Sequence, residues 1–284
     1  MDSIPKILYK YCNRWGIDIL QYRRLKVTPF NEFNDPFELA PRMRPDFKIE
    51  EARALIRDLD FQRALYKRFV ALGQFAGSFD AFAEMLAGMK PDLASKLVED
   101  HPKAAAEFRL SHRERASKEF GLICFSEVPH DILMWSHYTK GHTGFVIGFD
   151  TANEFFAQPP VHQVDYKEDR VLMGHVADLC EAPPRVAEII TALIKTKSRE
   201  WCYEREWRQL HNLAHCLSHR DPQRGNKLVH HKIISPAAIC EVISGSRCES
   251  AHLNELLGQR EFAHVKCRRA RIHETDFKLV LEDV

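Results

Sequence analysis

At 284 residues the chain is long for a single core, and its 41 basic against 40 acidic residues leave a formal charge of +1. That balance excludes a protein-wide field of the kind that wraps nucleic acid or an anionic membrane surface. One α+β domain spanning 1–284, carrying a helical insert, is the architecture such a length favours.

Taken in chain order, a short strand is expected at 7–11, a helix at 15–21 and a second strand at 24–28, closed by Pro29 and the Asn34-Asp35-Pro36 turn. From 47 to 120 the pattern becomes helical, rich in Ala, Leu, Arg and Glu. Breaks are expected at 73–78, at Pro91 and at His101-Pro102. This stretch is the helical insertion or cap. Strand character returns at 122–126 and 144–150, with a helix between them at 132–138. Further strands are expected at 161–166, 206–210, 227–234, 239–244 and 262–267, and helices at 184–197 and 249–258. Many short strands with few intervening helices point to a mixed or antiparallel sheet core rather than a βαβ array.

No apolar run is long enough to cross a bilayer, and residues 1–10 mix charge with proline, so a cytoplasmic protein with no membrane partner is expected. Cys12, Cys124, Cys180, Cys202, Cys216, Cys240, Cys248 and Cys267 never approach CxxC spacing and read as reduced thiols. No HExxH motif occurs, and His211 and His215, at i, i+4, lack a Cys or Glu at ligand spacing, so no metal site is expected. Dinucleotide GxGxxG, Walker and GxSxG patterns are absent, which removes the usual cues for Rossmann, P-loop and α/β-hydrolase chemistry.

Four clusters could carry chemistry. On the first strand, alternation sets Tyr9 and Tyr11 on one face and Lys10 on the other. The Phe33-Asn34-Asp35-Pro36-Phe37-Glu38 turn would hold an amide and carboxylates between two aromatic anchors. The densest cluster runs from Ser126 and Glu127 through Trp135, Ser136, His137 and Tyr138 to His142. There Trp135 offers a flat surface for a ring, His137 an acid, base or donor, and His142 a donor to phosphate or carbonyl. Finally, Glu204 and Glu206 would face one side of an extended segment, either paired with arginines such as Arg199 and Arg208 or raised in pKa for catalysis. Each cluster also has a purely structural reading as packing or ion pairing.

The Leu-Tyr-Lys-Tyr opening, FNDPFE, CFSE followed by MWSHYxxxHxG, and YEREWR together resemble a bacterial domain-of-unknown-function family across nearly the whole chain. More distantly the order resembles ADP-ribosyltransferase-like domains, which implies NAD as substrate. In that likeness Lys10 or Tyr11 takes the first-strand place, Ser126 or Tyr138 the middle place and Glu206 the late glutamate. Glu204 resembles the extra acidic residue of arginine-modifying members. The first strand has no arginine or histidine at the place the likeness calls for.

The likeness implies a NAD-using transferase or glycohydrolase with Glu206 essential; together with the clusters it makes Glu206, Glu204, His137 and Tyr138 the candidate catalytic residues. Its nucleotide-like ligand would meet Lys10, Tyr11, Asn34, Asp35, Ser126, Trp135, Ser136, His142 and Arg208. A carboxylate such as Glu206 could stabilise an oxocarbenium-like state. Two other classes stand beside it. One is a metal-dependent hydrolase or nuclease using Asp35, Glu38, Glu204 and Glu206. The other is a non-catalytic nucleotide-sensing interaction module. The acceptor and the oligomeric state are not written in these patterns.

Overall fold

A computed structural model describes residues 3–44, 46–173, 183–222, 225–249 and 251–284. The chain opens with β1 (Ile7–Cys12), α1 (Ile17–Tyr22), β2 (Arg24–Pro29) and the short β3 (Arg42–Met43), then enters α2 (Ile49–Arg57), α3 (Leu59–Ala71) and α4 (Phe79–Ala116). There follow β4 (Phe120–Ser126), α5 (Ile132–Tyr138), β5 (Phe145–Asp150), β6 (Val161–Gln163), β7 (Asp165–Lys167) and β8 (Leu172–Met173). After α6 (Pro183–Lys195) come β9 (Thr196–Ser198), β10 (Glu206–Asn212), β11 (Leu217–Asp221), β12 (Lys227–Ile233), β13 (Ile239–Ser244), α7 (Ala251–Leu257), β14 (Lys266–Ile272) and β15 (Leu279–Asp283). The fold is α+β with a large mixed, mostly antiparallel sheet.

The chain divides into two compact units, one of Met1–Asp35, Ala116–Glu168 and Lys197–Val284, the other of Pro36–Arg115 and Asp169–Thr196. The second unit thus gathers the helices expected at 47–120 and adds a later segment to them.

The first unit is built on an eleven-stranded sheet in the order β11-β12-β2-β4-β1-β5-β13-β14-β15, with β10 and β6 joined through β4. Strand alternation sorts its residues onto two faces. Leu8, Phe125, Ile147, Phe149, Trp207 and Val242 enter one apolar layer together with Leu253 and Leu256 of α7. Trp135, Val146, Ile243 and Ala270 form another, against which Tyr9 and Tyr11 pack. Gly148 sits where an added Cβ would lie 3.1 Å from both Glu241 Cβ and Tyr9 Cε1, so a side chain there would push apart strands on either side of β5.

The pairing of β4 creates the feature that matters most. One of its edges is bound along its whole length by β10, from Glu206 opposite Ser126 to Asn212 opposite Phe120. Its other edge is shared. β1 pairs there at Ser126, through Tyr9, and β2 at Leu122 and Gly121, through Thr28 and Pro29. β1 is held in register with β5 from Ile7 to Cys12, while β2 follows β12. The two strands therefore diverge and leave a cleft between them along the middle of β4.

In the second unit, Phe47, Ala52 and Ile56 pack on Ala94 of α4, and Tyr66 meets Phe75, Phe79 and Phe82 at ring-centroid distances of 5.6–6.2 Å. α4 runs unbroken through Pro91 and Pro102, against the breaks expected there. A proline inside a helix costs about 3 kcal/mol. Burial of Phe82, Leu86, Ala94 and Phe108 along α4 supplies the opposing packing. The His112 ring bonds the carbonyls of Leu39 and Phe108 and ties the helix to the chain entering the unit.

Other boundaries moved for identifiable reasons. The strand expected at 262–267 is a 3-10 turn at Arg260–Phe262 followed by β14, because Phe262, 2 % exposed, anchors the turn in the core. The expected strand 161–166 divides at buried Val164 into β6 and β7. β11 and β15 were not foreseen; their outward-facing residues obscure the alternation. The seven described cysteines are free; Cys180 lies outside the described residues.

Candidate functional site

The expected extended segment through Glu204 and Glu206 is not extended. Arg199–Glu204 forms a 3-10 turn, and Arg205, at φ 42°, adopts the left-handed conformation that ends it. The chain reverses at this residue and enters β10 at Glu206. The two carboxylates nevertheless meet, because Lys197 lies between them: its Nζ donates to Glu204 Oε2 at 2.5 Å and to Glu206 Oε2 at 3.0 Å.

Arg208, one strand period further along β10, is fully buried and grips Glu206 bidentately, Nε to Oε1 at 2.9 Å and Nη2 to Oε2 at 2.8 Å. Tyr138, at the end of α5, donates to the remaining oxygen of Glu204 at 2.6 Å. Backbone groups are tied in as well. Ser126 Oγ donates to the Glu204 carbonyl at 2.6 Å, and the Glu206 N–H donates to the Tyr166 hydroxyl at 2.8 Å.

Two acids and two bases thus form a chain, Tyr138–Glu204–Lys197–Glu206–Arg208, with balanced charge. Buried ions demand such pairing, since each alone would lose several kcal/mol of hydration. The two carboxyls differ in kind. Burial pushes Glu204 up, and the neighbouring Glu206 charge adds to it, against the opposing pull of Lys197 and Tyr138. Burial works the same way on Glu206, but there Arg208 and Lys197 prevail and hold it well below the usual carboxylate range. Burial and the adjoining Glu204 push the Tyr138 phenol up.

Of this chain, Tyr138 lines the cleft between β1 and β2, a cavity of about 530 Å³. Lys10 and Tyr11 stand on its β1 wall, and Arg24, Lys26 and Thr28 on its β2 wall. Glu32, Asn34 and His231 also line it, as do Trp15 and Asp18 from the segment between the two strands. The Lys10 ammonium donates to the Cys124 carbonyl at 2.9 Å and lies over the Phe125 ring; it forms no ion pair among the described residues. Arg24 is paired with Asp18, and Lys26 with Glu32, which also receives Lys227.

The structure thus brings Lys10, Tyr11, Asn34 and Tyr138 to one cleft and sets Ser126, Glu204, Glu206 and Arg208 in the network around Tyr138. It places others elsewhere. Trp135, expected to offer a flat surface, is entirely buried: its ring stacks on His142 at 5.9 Å, meets Tyr11 edge-on at 5.7 Å, and its Nε1 donates to the Pro129 carbonyl. His142 has φ 65°, and its Nδ1 is buried with no hydrogen-bond partner among the described residues; burial, and then Arg247, push its pKa down.

Ser136 and His137 are exposed on α5, with Ser136 Oγ bonded to its own helix. Asp35 is buried but does not line the cleft, and Phe37, expected as an anchor, is 64 % exposed. Among the described residues no group of three or more His, Cys, Asp and Glu is arranged to hold a metal. The side-chain oxygens of Glu204 and Glu206 already accept from Lys197, Tyr138 and Arg208.

Sequence reasoning missed Lys197, Tyr166, Arg24, Lys26 and His231. Lys197 was hidden at the expected end of a helix over 184–197, whereas α6 ends at Lys195 and Lys197 belongs to β9. A signal did exist, because two adjacent buried acids require two cations. Arg199, which was named as one, instead makes an exposed pair with Glu168.

No curated protein and no solved structure matches the chain. Residues 134–209, the span that carries Tyr138, Lys197, Glu204, Glu206 and Arg208, match the model of a family described as a protein of unknown function, DUF2971.

Proposed function

We propose that the β1–β2 cleft binds a nucleotide-like anion, with NAD as the first candidate, and that the protein is an ADP-ribosyltransferase-like transferase or a NAD glycohydrolase. The observation that carries this reading is one juxtaposition. A lysine ammonium without a carboxylate partner among the described residues and a tyrosine backed by buried carboxylates face the same cavity.

The cavity has the size of a small-molecule site, roughly 300–1,000 Å³. Lysine carries three donors, and Lys10 uses one on Cys124, so two are available to phosphate oxygens. Tyr11 and Tyr138 add aromatic surface for a ring. The negative Glu204 and Glu206 behind Tyr138 would favour a positive, oxocarbenium-like centre in the cleft. The acceptor is left open between water, a small molecule, a protein and a nucleic acid.

One observation favours a second reading, binding without turnover. Glu206 is enclosed by Arg208 and Lys197 and does not line the cleft, as a sensing module would allow. The metal-dependent reading has less support, because its central carboxylates are already engaged by cations. The described cysteines are free thiols, in keeping with a reducing compartment such as the cytoplasm, and no described helix is long and apolar enough to cross a membrane.

Calorimetric titration of NAD into the wild type and Glu206→Gln, with nicotinamide release followed in parallel, tests the proposal. Binding with release in the wild type, and release lost in the variant, is the expected result. Binding without release selects the sensor reading. No binding at millimolar NAD removes NAD as the ligand.

A further inference from the structure

The two carboxylates of the network are not equivalent, and neither touches the cleft. Glu206 has both oxygens gripped by cations: Arg208 takes both, and Lys197 shares one. Glu204 has one oxygen on Lys197 and the other on a hydroxyl, and that hydroxyl belongs to the one member of the chain that reaches the cavity. Any proton exchanged between the cleft and the buried acids along this chain must cross the Tyr138 oxygen, and the first acid it meets is Glu204.

We propose that Tyr138 and Glu204 form a proton-transfer pair opening on the cleft. Lys197 acts as the positioning residue that sets its protonation, and Glu206 with Arg208 as a fixed counter-charge that does not titrate with it. This rests on the reading of the cleft as a NAD site. A water or hydroxyl acceptor in the cleft loses its O–H proton to Tyr138 Oη as Tyr138 passes its own proton to Glu204 Oε1. The acceptor oxygen forms its bond to the anomeric carbon, and the bond from that carbon to the nicotinamide nitrogen breaks, its electron pair leaving with nicotinamide. One proton is gained by Glu204 and later released to solvent, so charge and atoms balance with no further reactant.

The groups around Glu204 fit that role. Tyr138 faces it from α5, Lys197 from β9, and Glu206 with Arg208 from β10. Ser126 holds its backbone carbonyl from the end of β4, Tyr203 adjoins it on its own turn, and Tyr166 of β7 holds the Glu206 N–H. Trp201 caps the Lys197 ammonium at 5.0 Å, fixing it between the acids. A carboxyl of raised affinity for protons exchanges them near neutrality more readily than an ordinary one. Removing one cation at contact distance raises such a carboxyl further.

The test combines kinetics with the carboxyl resonances of 13C-glutamate-labelled protein, Glu204 being assigned by its loss in Glu204→Gln. Tyr138→Phe removes a single oxygen and keeps the packing. It is expected to bind NAD within about threefold of wild type while nicotinamide release falls by about 100-fold or more. The Glu204 resonance is expected to titrate above the ordinary glutamate range and to move further up in Lys197→Met, with the midpoint of the pH–rate profile moving with it. Glu206 is expected to stay ionised throughout.

Release retained within fivefold in Tyr138→Phe overturns the pair. So does a Glu204 that titrates in the ordinary range or ignores Lys197→Met. If wild type neither binds nor cleaves NAD, the NAD reading fails by itself. The pair is then judged on the resonances alone: a raised Glu204 that responds to Lys197→Met supports it, and an unresponsive one overturns it.

Discussion

The two flanks of β4 treat charge in opposite ways. On the β10 flank, Arg208, Glu206, Lys197 and Glu204 are all at most 6 % exposed, and each oxygen and cation is matched at hydrogen-bond distance. On the β1–β2 flank, Lys10, Arg24 and Lys26 line a cavity, with Asp18 as the counter-charge of Arg24 and Glu32 as that of Lys26 at its edge. A sealed ion network adds little stability compared with an apolar core of the same shape, because desolvation offsets most of its Coulomb energy. Its presence beside an open cationic cleft therefore directs attention to chemistry at the boundary, and Tyr138 is the residue that stands there.

Breaking the sealed side gives the largest expected effect. Arg208→Ala leaves Glu206 buried without its bidentate partner and should cost about 3–5 kcal/mol, read from urea denaturation. A loss below about 1 kcal/mol would mean that water reaches Glu206 and the flank is not sealed. Trp135→Ala should cost a similar ~3–5 kcal/mol by leaving a cavity between Tyr11 and His142. An unchanged urea midpoint would show that the ring is not part of the core.

The open side should respond in binding rather than in folding. Lys10→Met should weaken the cleft's anionic ligand about tenfold, roughly 1.4 kcal/mol, with little change in the urea midpoint. Equal affinity in the variant would remove Lys10 as the anchor.

Acid titration sharpens the contrast within the network itself. Glu206 is held low by Arg208 and Lys197 against the effect of burial, so the unfolded chain takes up its proton first. Its stabilisation is present above the ordinary glutamate range and is lost as pH falls below it. Glu204 is raised, so the folded state takes the proton first, and stability is gained as pH falls through that raised value. Stability measured against pH should therefore lose its acid-side decline in Glu206→Gln and its shallow gain in Glu204→Gln. A profile identical to wild type in both would remove the assigned inequality. The smallest effect belongs to Arg199→Ala. Its pair with Glu168 is exposed on both sides, and no resolvable change in the urea midpoint is expected.

Much of the architecture was legible because local rules agreed with the final structure. α5 and β13 begin and end where periodicity placed them, and β1, β4 and β5 differ by a residue or two. Tertiary packing overruled local signals in α4, where prolines read as breaks are absorbed by a helix with a buried stripe. In the candidate site, residue types were legible and relationships were not. Glu204 and Glu206 stood out as a pair, but the left-handed Arg205 that separates them and the Lys197 that reunites them depend on long-range contacts. Trp135 and Tyr138 lie three residues apart on one short helix, yet the first fills the core and the second reaches the cleft. Helix phase decides which, and only the partners across the sheet set that phase.

The divergence of β1 and β2 also bears on solubility. An exposed strand edge normally invites pairing with another chain, and proteins protect such edges with charge, bulges or covering segments. The gap along β4 is bounded by pairing at Leu122 on one side and at Ser126 on the other, with a lysine set into it. A window limited to Ile123, Cys124 and Phe125 stands at the lower limit of strand length, about three residues, and well short of the usual five or six, so it offers a foreign strand little to pair with. The molecule can therefore keep an opening inside its main sheet without offering a template for aggregation.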